Sequence, residues 1–215
     1  MDLDLYVVTD EAVAAGRTHA EIARLAIEGG ADAIQLRDKC CGIPALCRTG
    51  RQIRAVTRKT GTLFIVNDRL DVALACGADG VHLGQGDLRV DVARQIAPRS
   101  FVIGVSVGDA GQAVTAENDG ADYVALSPIF ATTSKDDAGP GHGLSVLRKI
   151  RAEVSIPVVA IGGISSKNIR EVISAGADGV AVISAVAGQP DITAAARDLK
   201  NRIAAAKRET RERPR

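Results

Sequence analysis

Short, continuous apolar runs alternate along the chain with segments whose hydrophobic residues have helical spacing. Apolar runs of this kind are typical of strands that are buried on both faces of a parallel sheet. The pattern predicts strands at Leu3–Thr9, Ala33–Arg37, Leu63–Val66, Gly80–Leu83, Phe101–Ser106, Tyr123–Leu126, Val158–Ile161 and Gly179–Ile183. It predicts helices at about residues 17–29, 43–59, 69–76, 88–97, 109–119, 143–153, 166–175 and 190–206.

A Gly-Ala-Asp tripeptide recurs at the ends of helical segments, each time directly before an apolar run. The copies are Gly30-Ala31-Asp32, Gly77-Ala78-Asp79, Gly120-Ala121-Asp122 and Gly176-Ala177-Asp178. Glycine tolerates the left-handed position that ends a helix, so each copy indicates a return from helix to strand. The copies lie about two βα units apart, which indicates eight units in the chain.

Eight alternations of strand and helix favour a single α/β domain, a closed (β/α)₈ TIM barrel. An open, doubly wound sheet is the alternative. We expect residues 1–206 to form the barrel. Residues 207–215 are charged and include a proline, and we expect them to form a frayed tail.

Composition excludes several classes of function. The 27 Lys and Arg balance the 26 Asp and Glu to a net charge of +1, and with no Trp there is little aromatic surface, so no nucleic-acid face is indicated. No apolar run is long enough to span a membrane, and the N-terminus lacks a signal peptide, so we expect a cytoplasmic protein. The four cysteines form no C-x-x-C pair and are expected to be reduced thiols without a metal or redox role.

Candidate chemistry lies at the carboxyl ends of the strands, where a barrel of this kind carries its active site. Side chains alternate along a strand, so Gln35, Arg37 and Lys39 point one way while Leu36 and Asp38 point the other. Two cations at the barrel mouth indicate a phosphorylated ligand. The alternative is a structural ion pair with Asp38 or another acid.

Asp68 and Asp87 follow the third and fourth strands, and both should emerge on the same side of the sheet. Two carboxylates beside a basic strand suit Mg²⁺, which bridges acidic side chains to phosphate oxygens. The alternative is that both are capping residues. His82, inside the fourth strand, is expected to be packed and hydrogen-bonded.

The later strands offer hydroxyls and glycines. Ser106 ends the fifth strand, and no His or Asp pattern marks it as an activated nucleophile. After the sixth strand, the long loop from Ser127 to Gly143 is typical of a binding loop. It supplies Thr132, Thr133, Ser134 and Lys135. Gly163 follows the seventh strand and Ile183-Ser184 ends the eighth, where barrels commonly hold a monophosphate on backbone N–H groups.

As an ordered set, these motifs resemble the thiamine phosphate synthase family. They are QLRDK at 35–39, VND at 66–68, GVHLGQGD at 80–87, SPIFATTSK at 127–135, AIGGI at 160–164 and VIS at 182–184. That family joins a pyrimidine methyl diphosphate to a thiazole ethyl phosphate. It releases pyrophosphate and forms thiamine monophosphate with Mg²⁺.

The resemblance implies roles for individual residues. Pyrimidine diphosphate binding is implied for Gln35, Leu36, Arg37, Asp38, Lys39, Asn67, Ser106 and Lys135. Among these, the implied catalytic residues are Arg37, Lys39, Ser106 and Lys135. One Mg²⁺ per subunit is implied at Asp68 and Asp87. Thiazole phosphate binding is implied for Thr132, Thr133, Ser134, Gly163, Ile183 and Ser184.

This chain departs from the family pattern at a few positions. Asp38 stands where the family usually has Glu, and Val107-Gly108 where a Thr-His is common. The expected partners are the two small-molecule substrates, with a homo-oligomer possible. Two alternatives stay open: a thiazole tautomerase of the same fold, and a catalytically silent barrel that binds thiamine phosphates.

Overall fold

The computed structural model describes residues 1–132 and 140–212. Within that part of the chain, eight parallel strands close into a barrel in sequence order, and the last pairs with the first. The strands are β1 Leu5–Thr9, β2 Ala33–Leu36, β3 Leu63–Asn67, β4 Gly80–Leu83, β5 Val102–Val107, β6 Tyr123–Leu126, β7 Val158–Ile161 and β8 Gly179–Val182. The helices are α1 His19–Glu28, α2 Ile43–Thr57, α3 Leu70–Cys76, α4 Val90–Ile96, α5 Ala110–Asn118, α6 Gly143–Glu153, α7 Ile169–Ser174 and α8 Ile192–Glu212, with a 3₁₀ turn at Glu11–Val13. The predicted (β/α)₈ barrel is confirmed, and the open sheet is excluded.

The apolar core has two layers, which explains why the strands are apolar on both faces. One cluster lies between the sheet and the helices, and the other fills the barrel itself. The inner cluster contains two tyrosines, Tyr6 and Tyr123, and both are almost fully buried. Gly104 leaves room for the second of them, because a Cβ there would lie 2.0 Å from Cζ of Tyr123. The interior therefore carries two phenol hydroxyls next to the apolar side chains of this cluster.

The aspartate of each Gly-Ala-Asp tripeptide ties together three elements at the amino-terminal end of the barrel. Each carboxylate accepts a hydrogen bond of 2.7–2.9 Å from the backbone N–H of the preceding odd-numbered strand. Each also pairs, at 2.6–2.8 Å, with a cation from an even-numbered helix. The pairs are Asp32 with Lys200, Asp79 with Arg54, Asp122 with Arg94 and Asp178 with Arg151. The repeated aspartates therefore stabilise the barrel at the end opposite the candidate site.

We expect Asp79→Ala to lower the free energy of unfolding by about 2–3 kcal/mol, because it leaves the Phe64 N–H and the Arg54 guanidinium without their partner. Asp71→Ala is the matched control, since the Asp71 side chain forms an exposed local pair with Arg69 and its loss should change stability by about 0.5 kcal/mol or less. Urea denaturation of both variants measures the difference. Equal effects would show that the repeated aspartates do not stabilise the barrel.

The C-terminal helix is longer than the sequence predicted. The expected end near residue 206 is wrong, because α8 continues to Glu212, and the expected frayed tail is corrected for residues 207–212. Two long-range ion pairs hold this last part, Lys207 with Asp4 and Arg170 with Glu209. Although α8 has 21 residues, no helix in the described ranges is long and apolar enough to cross a membrane.

Candidate active site

A cleft opens at the carboxyl ends of β2 to β6, and most of the predicted strand-end residues meet there. Its cavity volume is about 390 Å³, which suits a small-molecule ligand. Six predicted residues line it: Arg37, Lys39, Asn67, Asp68, Asp87 and Ser106. His82, Gly84, Gly86, Ser127 and Pro128 complete the wall. The structure thus brings the basic end of β2 and the two acids into one site.

Asp68 and Asp87 face each other across this cleft closely enough for their carboxyl groups to share a hydrogen bond. Asp68 has a left-handed backbone (φ 63°), and its N–H donates to the His82 carbonyl at 2.8 Å. Asp87 is held by its own loop, since its carboxylate accepts the Gly84 N–H at 2.6 Å. Burial, followed by the charge of Asp87, raises the pKa of Asp68 to about 6, although Lys39 and Arg37 oppose this shift.

The acid pair suits a divalent cation. After burial, the nearby Asp87 carboxyl is the next cause of the raised pKa of Asp68, and a cation between the two acids would relieve their repulsion. The described residues contain no group of three or more His, Cys, Asp or Glu that could hold a metal alone. Mg²⁺ is commonly held by one or two carboxylates together with phosphate oxygens and water, so two acids fit it. A proton and the cation would compete for Asp68 below about pH 6.

The basic side of the cleft is positioned by the residues around it. Arg37 has only 13% of its side chain exposed and pairs with Asp10 at 3.4 Å, so it forms an ion pair with an acid other than Asp38, as the alternative for this strand allowed. The Asp38 carboxylate instead accepts the backbone N–H groups of Cys40 and Cys41 and thereby shapes the turn after Lys39. The cations are therefore presented on an ordered turn.

The floor of the cleft is a chain of hydrogen bonds through the barrel interior. Gln35 Nε2 donates to the Tyr6 hydroxyl at 2.7 Å, and the Tyr6 and Tyr123 hydroxyls are 3.0 Å apart. The Tyr123 hydroxyl lies 2.9 Å from Nδ1 of His82, whose Nε2 lies 2.9 Å from Oγ of Ser106. The expectation that His82 is packed and hydrogen-bonded is confirmed. Gln35 itself is only 5% exposed and lies below the cleft wall.

Sequence reasoning missed both tyrosines and the contact between His82 and Ser106. It found no histidine pattern near Ser106, because the two residues come from neighbouring strands and are separated by 24 positions. The available signal was the alternation along the first and sixth strands, which places Tyr6 and Tyr123 on the inner face.

A second pocket lies beside the first, at the ends of β6, β7 and β8. It is lined by four residues from the thiazole phosphate prediction: Thr132, Gly163, Ile183 and Ser184. Gly163 has φ +63°, and a Cβ there would lie 2.7 Å from the Ala131 carbonyl oxygen, so glycine lets the two loops meet. Ser127 and Pro128 line both pockets, which makes them a shared wall.

Some predicted residues lie elsewhere. The Leu36 side chain is buried between the sheet and α2, and neither Leu36 nor Asp38 is among the residues lining the cleft. Thr133, Ser134 and Lys135 lie outside the described residues. Their predicted contacts stay predictions.

A closed parallel barrel with an acid pair, two cations and a glycine-bordered pocket at its carboxyl face is typical of enzymes that act on phosphorylated small molecules. The sequence profile of the thiamine monophosphate synthase family matches residues 5–186, and the chain belongs to that family. The family predicted by resemblance is confirmed.

Relatives match along almost the full chain. A thiamine-phosphate synthase from Methanoregula boonei is 73% identical over 99% of this chain and 98% of its own length. One from Methanoculleus marisnigri is 64% identical over 98% of this chain and 100% of its own. The solved structure of a thiamine phosphate pyrophosphorylase from Pyrococcus furiosus superposes with a TM-score of 0.88 at 45% identity, covering 95% of this chain and 96% of that one. These relatives support a transferase of the thiamine-phosphate synthase type over the tautomerase.

Proposed function

We propose that the two adjacent pockets bind the two substrates of thiamine monophosphate synthesis. The pyrimidine diphosphate would occupy the cleft of acids and cations, and the thiazole phosphate would occupy the pocket at β7 and β8. The shared wall of Ser127 and Pro128 carries the proposal, because two pockets that share lining residues lie side by side, where two reacting atoms can be brought together.

The difficult step is the departure of diphosphate from the methylene carbon of the pyrimidine. Arg37 and Lys39 would hold the leaving group and offset the charge that grows on it as the bond breaks. Mg²⁺ held by Asp68 and Asp87 would supply further charge neutralisation at the diphosphate oxygens. Asn67 and Ser106 would hydrogen-bond the substrate beside them.

The thiazole nitrogen is itself the nucleophile that captures the resulting pyrimidine cation, so the protein needs none. Ser106 meets His82, but the other ring nitrogen of His82 faces the neutral Tyr123 phenol and not a carboxylate. The arrangement therefore lacks the acidic third group that would make His82 a strong base.

Two fixed backbone features would place the thiazole phosphate. The loop after β7 is held by Asn168, whose side chain accepts the Ser165 N–H at 2.9 Å and donates to the Gly163 carbonyl at 2.9 Å. The loop after β8 is a tight turn, in which Ile183 O accepts the Ala187 N–H at 2.8 Å. A phosphate between these loops would be bound by glycine-bordered backbone and the Ser184 hydroxyl.

We expect Ser184→Ala to raise the KM for thiazole phosphate by about 10–100-fold, the value of one hydrogen bond to a charged group. The KM for the pyrimidine diphosphate should stay within about twofold, because Ser184 lines only the second pocket. Ser165→Ala is the control, since its hydroxyl lies toward the Lys167 N–H. Steady-state kinetics with each substrate varied in turn measures both constants. A rise in the pyrimidine KM alone would reverse the assignment of the pockets.

The cellular setting extends the same proposal. We expect the protein to work in the cytoplasm, where thiols such as the four free cysteines are kept reduced. A homo-oligomer is compatible with this function and stays an expectation.

A further inference from the structure

The hydrogen-bond chain below the cleft has a direction. Tyr6 and Tyr123 are buried on all sides, and burial raises the pKa of both phenols well above their usual value. Each phenol therefore keeps its proton and can donate one hydrogen bond only. The protons along these hydrogen bonds must therefore all point the same way, either toward His82 or toward Gln35.

Gln35 sets that direction. Its Nε2 donates to the Tyr6 oxygen, and among the described residues the only other polar contact of the Tyr6 hydroxyl is Tyr123. The Tyr6 proton must then point to Tyr123, or it would be buried without an acceptor, which is costly. The Tyr123 proton in turn points to Nδ1 of His82, 2.9 Å away.

The order of protons fixes the tautomer of His82. A neutral imidazole that accepts at Nδ1 carries its proton at Nε2. That proton points to Oγ of Ser106, 2.9 Å away. Because Oγ then accepts from His82, the serine proton is left to point away from the imidazole, into the cleft that Ser106 lines.

We propose that Tyr6 and Tyr123 are positioning residues that, through His82, make the Ser106 hydroxyl an obligate hydrogen-bond donor to the substrate. The ligand atom that meets Ser106 is then an acceptor, such as a ring nitrogen of a heteroaromatic substrate or an ester oxygen. The order of the protons rests on the hydrogen-bond geometry and the burial of the two phenols, and the identity of the ligand rests on the proposed function.

The positions of the tyrosines support a specific role beyond packing. A phenylalanine would fill the same interior volume, yet the two hydroxyls meet each other and continue the chain at both ends. The Tyr123 ring also stacks on His82, with ring centroids 5.6 Å apart and planes at 30°. Gly104 opens the space that this ring occupies.

The direct test is the ¹⁵N spectrum of the histidine rings in the ligand-free protein. The chain has three histidines, so a His82→Gln variant assigns the signal. We expect wild-type His82 to be the Nε2–H tautomer. Tyr123→Phe removes the hydroxyl that donates to Nδ1 of His82, so we expect a mixture of tautomers in this variant. Tyr6→Phe should shift the tautomer less, since Tyr123 can still donate.

Kinetics report the consequence for the substrate. We expect Tyr123→Phe to lower kcat/KM for the pyrimidine diphosphate by about 10-fold and Tyr6→Phe by about threefold, with the KM for thiazole phosphate unchanged. Thr57→Val is the control, because it removes another buried hydroxyl that lies on α2 and takes no part in these hydrogen bonds. It should leave both the His82 tautomer and the rates near wild type.

Each outcome decides the proposal. An Nδ1–H tautomer in the wild type would overturn it, because the chain would then run toward Gln35. An unchanged tautomer in Tyr123→Phe, or a shifted tautomer with unchanged kcat/KM, would also overturn it. If the proposed function is wrong, neither the wild type nor any variant will turn over the substrates. The ¹⁵N spectrum will still report the tautomer of His82.

Discussion

Asp68→Asn and Asp87→Asn should each lower kcat/KM at limiting Mg²⁺ by about 10²–10³-fold, equivalent to several kcal/mol of lost charge stabilisation. Asparagine keeps the shape of the side chain but removes the charge that would attract the cation. Both residues lie at strand-end loops outside the apolar clusters, so the variants should remain folded. Initial rates over a range of Mg²⁺ concentrations measure the effect.

Asp91→Asn is the matched control for these variants. Asp91 lies four residues beyond Asp87 in the first turn of α4, where it pairs with Arg89 outside the cleft. Its rates should equal those of the wild type. Turnover that both cleft variants retain at limiting Mg²⁺ would contradict the metal assignment.

In the wild type, the apparent affinity for Mg²⁺ should fall as the pH drops through about 6, because protonation of Asp68 competes with the cation.

Arg37→Met should lower kcat by about 10²-fold or more, because it removes a positive charge that would act as diphosphate leaves. Arg37→Lys should recover part of the rate, since it keeps the charge and loses the fork of donors that binds phosphate oxygens. The comparison of the two variants separates charge from geometry. Single-turnover kinetics with saturating substrates isolates the chemical step.

Arg69→Met is the control for Arg37. Arg69 directly follows Asp68 but is 42% exposed and pairs with Asp71 on the surface, so its loss should leave kcat near wild type. Equal losses in the two methionine variants would point to a general effect of surface charge. A loss confined to KM in Arg37→Met would assign Arg37 to uniform binding and not to the departure of the leaving group.

The barrel could be predicted from the sequence because its signals are local. An apolar run recurs in each unit and a Gly-Ala-Asp tripeptide in every second unit, and both can be recognised from short stretches of sequence. The role of the aspartate in each tripeptide could not be predicted. It depends on a backbone N–H 15–27 residues earlier and on a cation from another helix, as with Asp178, Val158 and Arg151.

The end of α8 was missed for a similar reason. Residues 207–212 have no apolar pattern that predicts a helix, and Lys207 is held by Asp4 from the opposite end of the chain. Long-range ion pairs cannot be recognised from the local periodicity of the sequence.

The same distinction between local and long-range signals holds for the residues of the candidate site. Asp68, Asp87 and the basic end of β2 could be predicted, because the carboxyl ends of parallel strands meet at one face. The chain from Gln35 to Ser106 could not, since it depends on which inward side chains meet across the barrel. Tyr6 and Tyr123 are 117 positions apart and come together only when the sheet closes.

The most direct test of the account is the formation of thiamine monophosphate by the purified protein from the pyrimidine diphosphate and the thiazole phosphate. The assay is run with Mg²⁺, and again with a chelator. We predict product and pyrophosphate in equal amounts with Mg²⁺, and none with the chelator. A folded protein that binds both substrates and yields no product with Mg²⁺ would contradict the account and indicate the silent barrel.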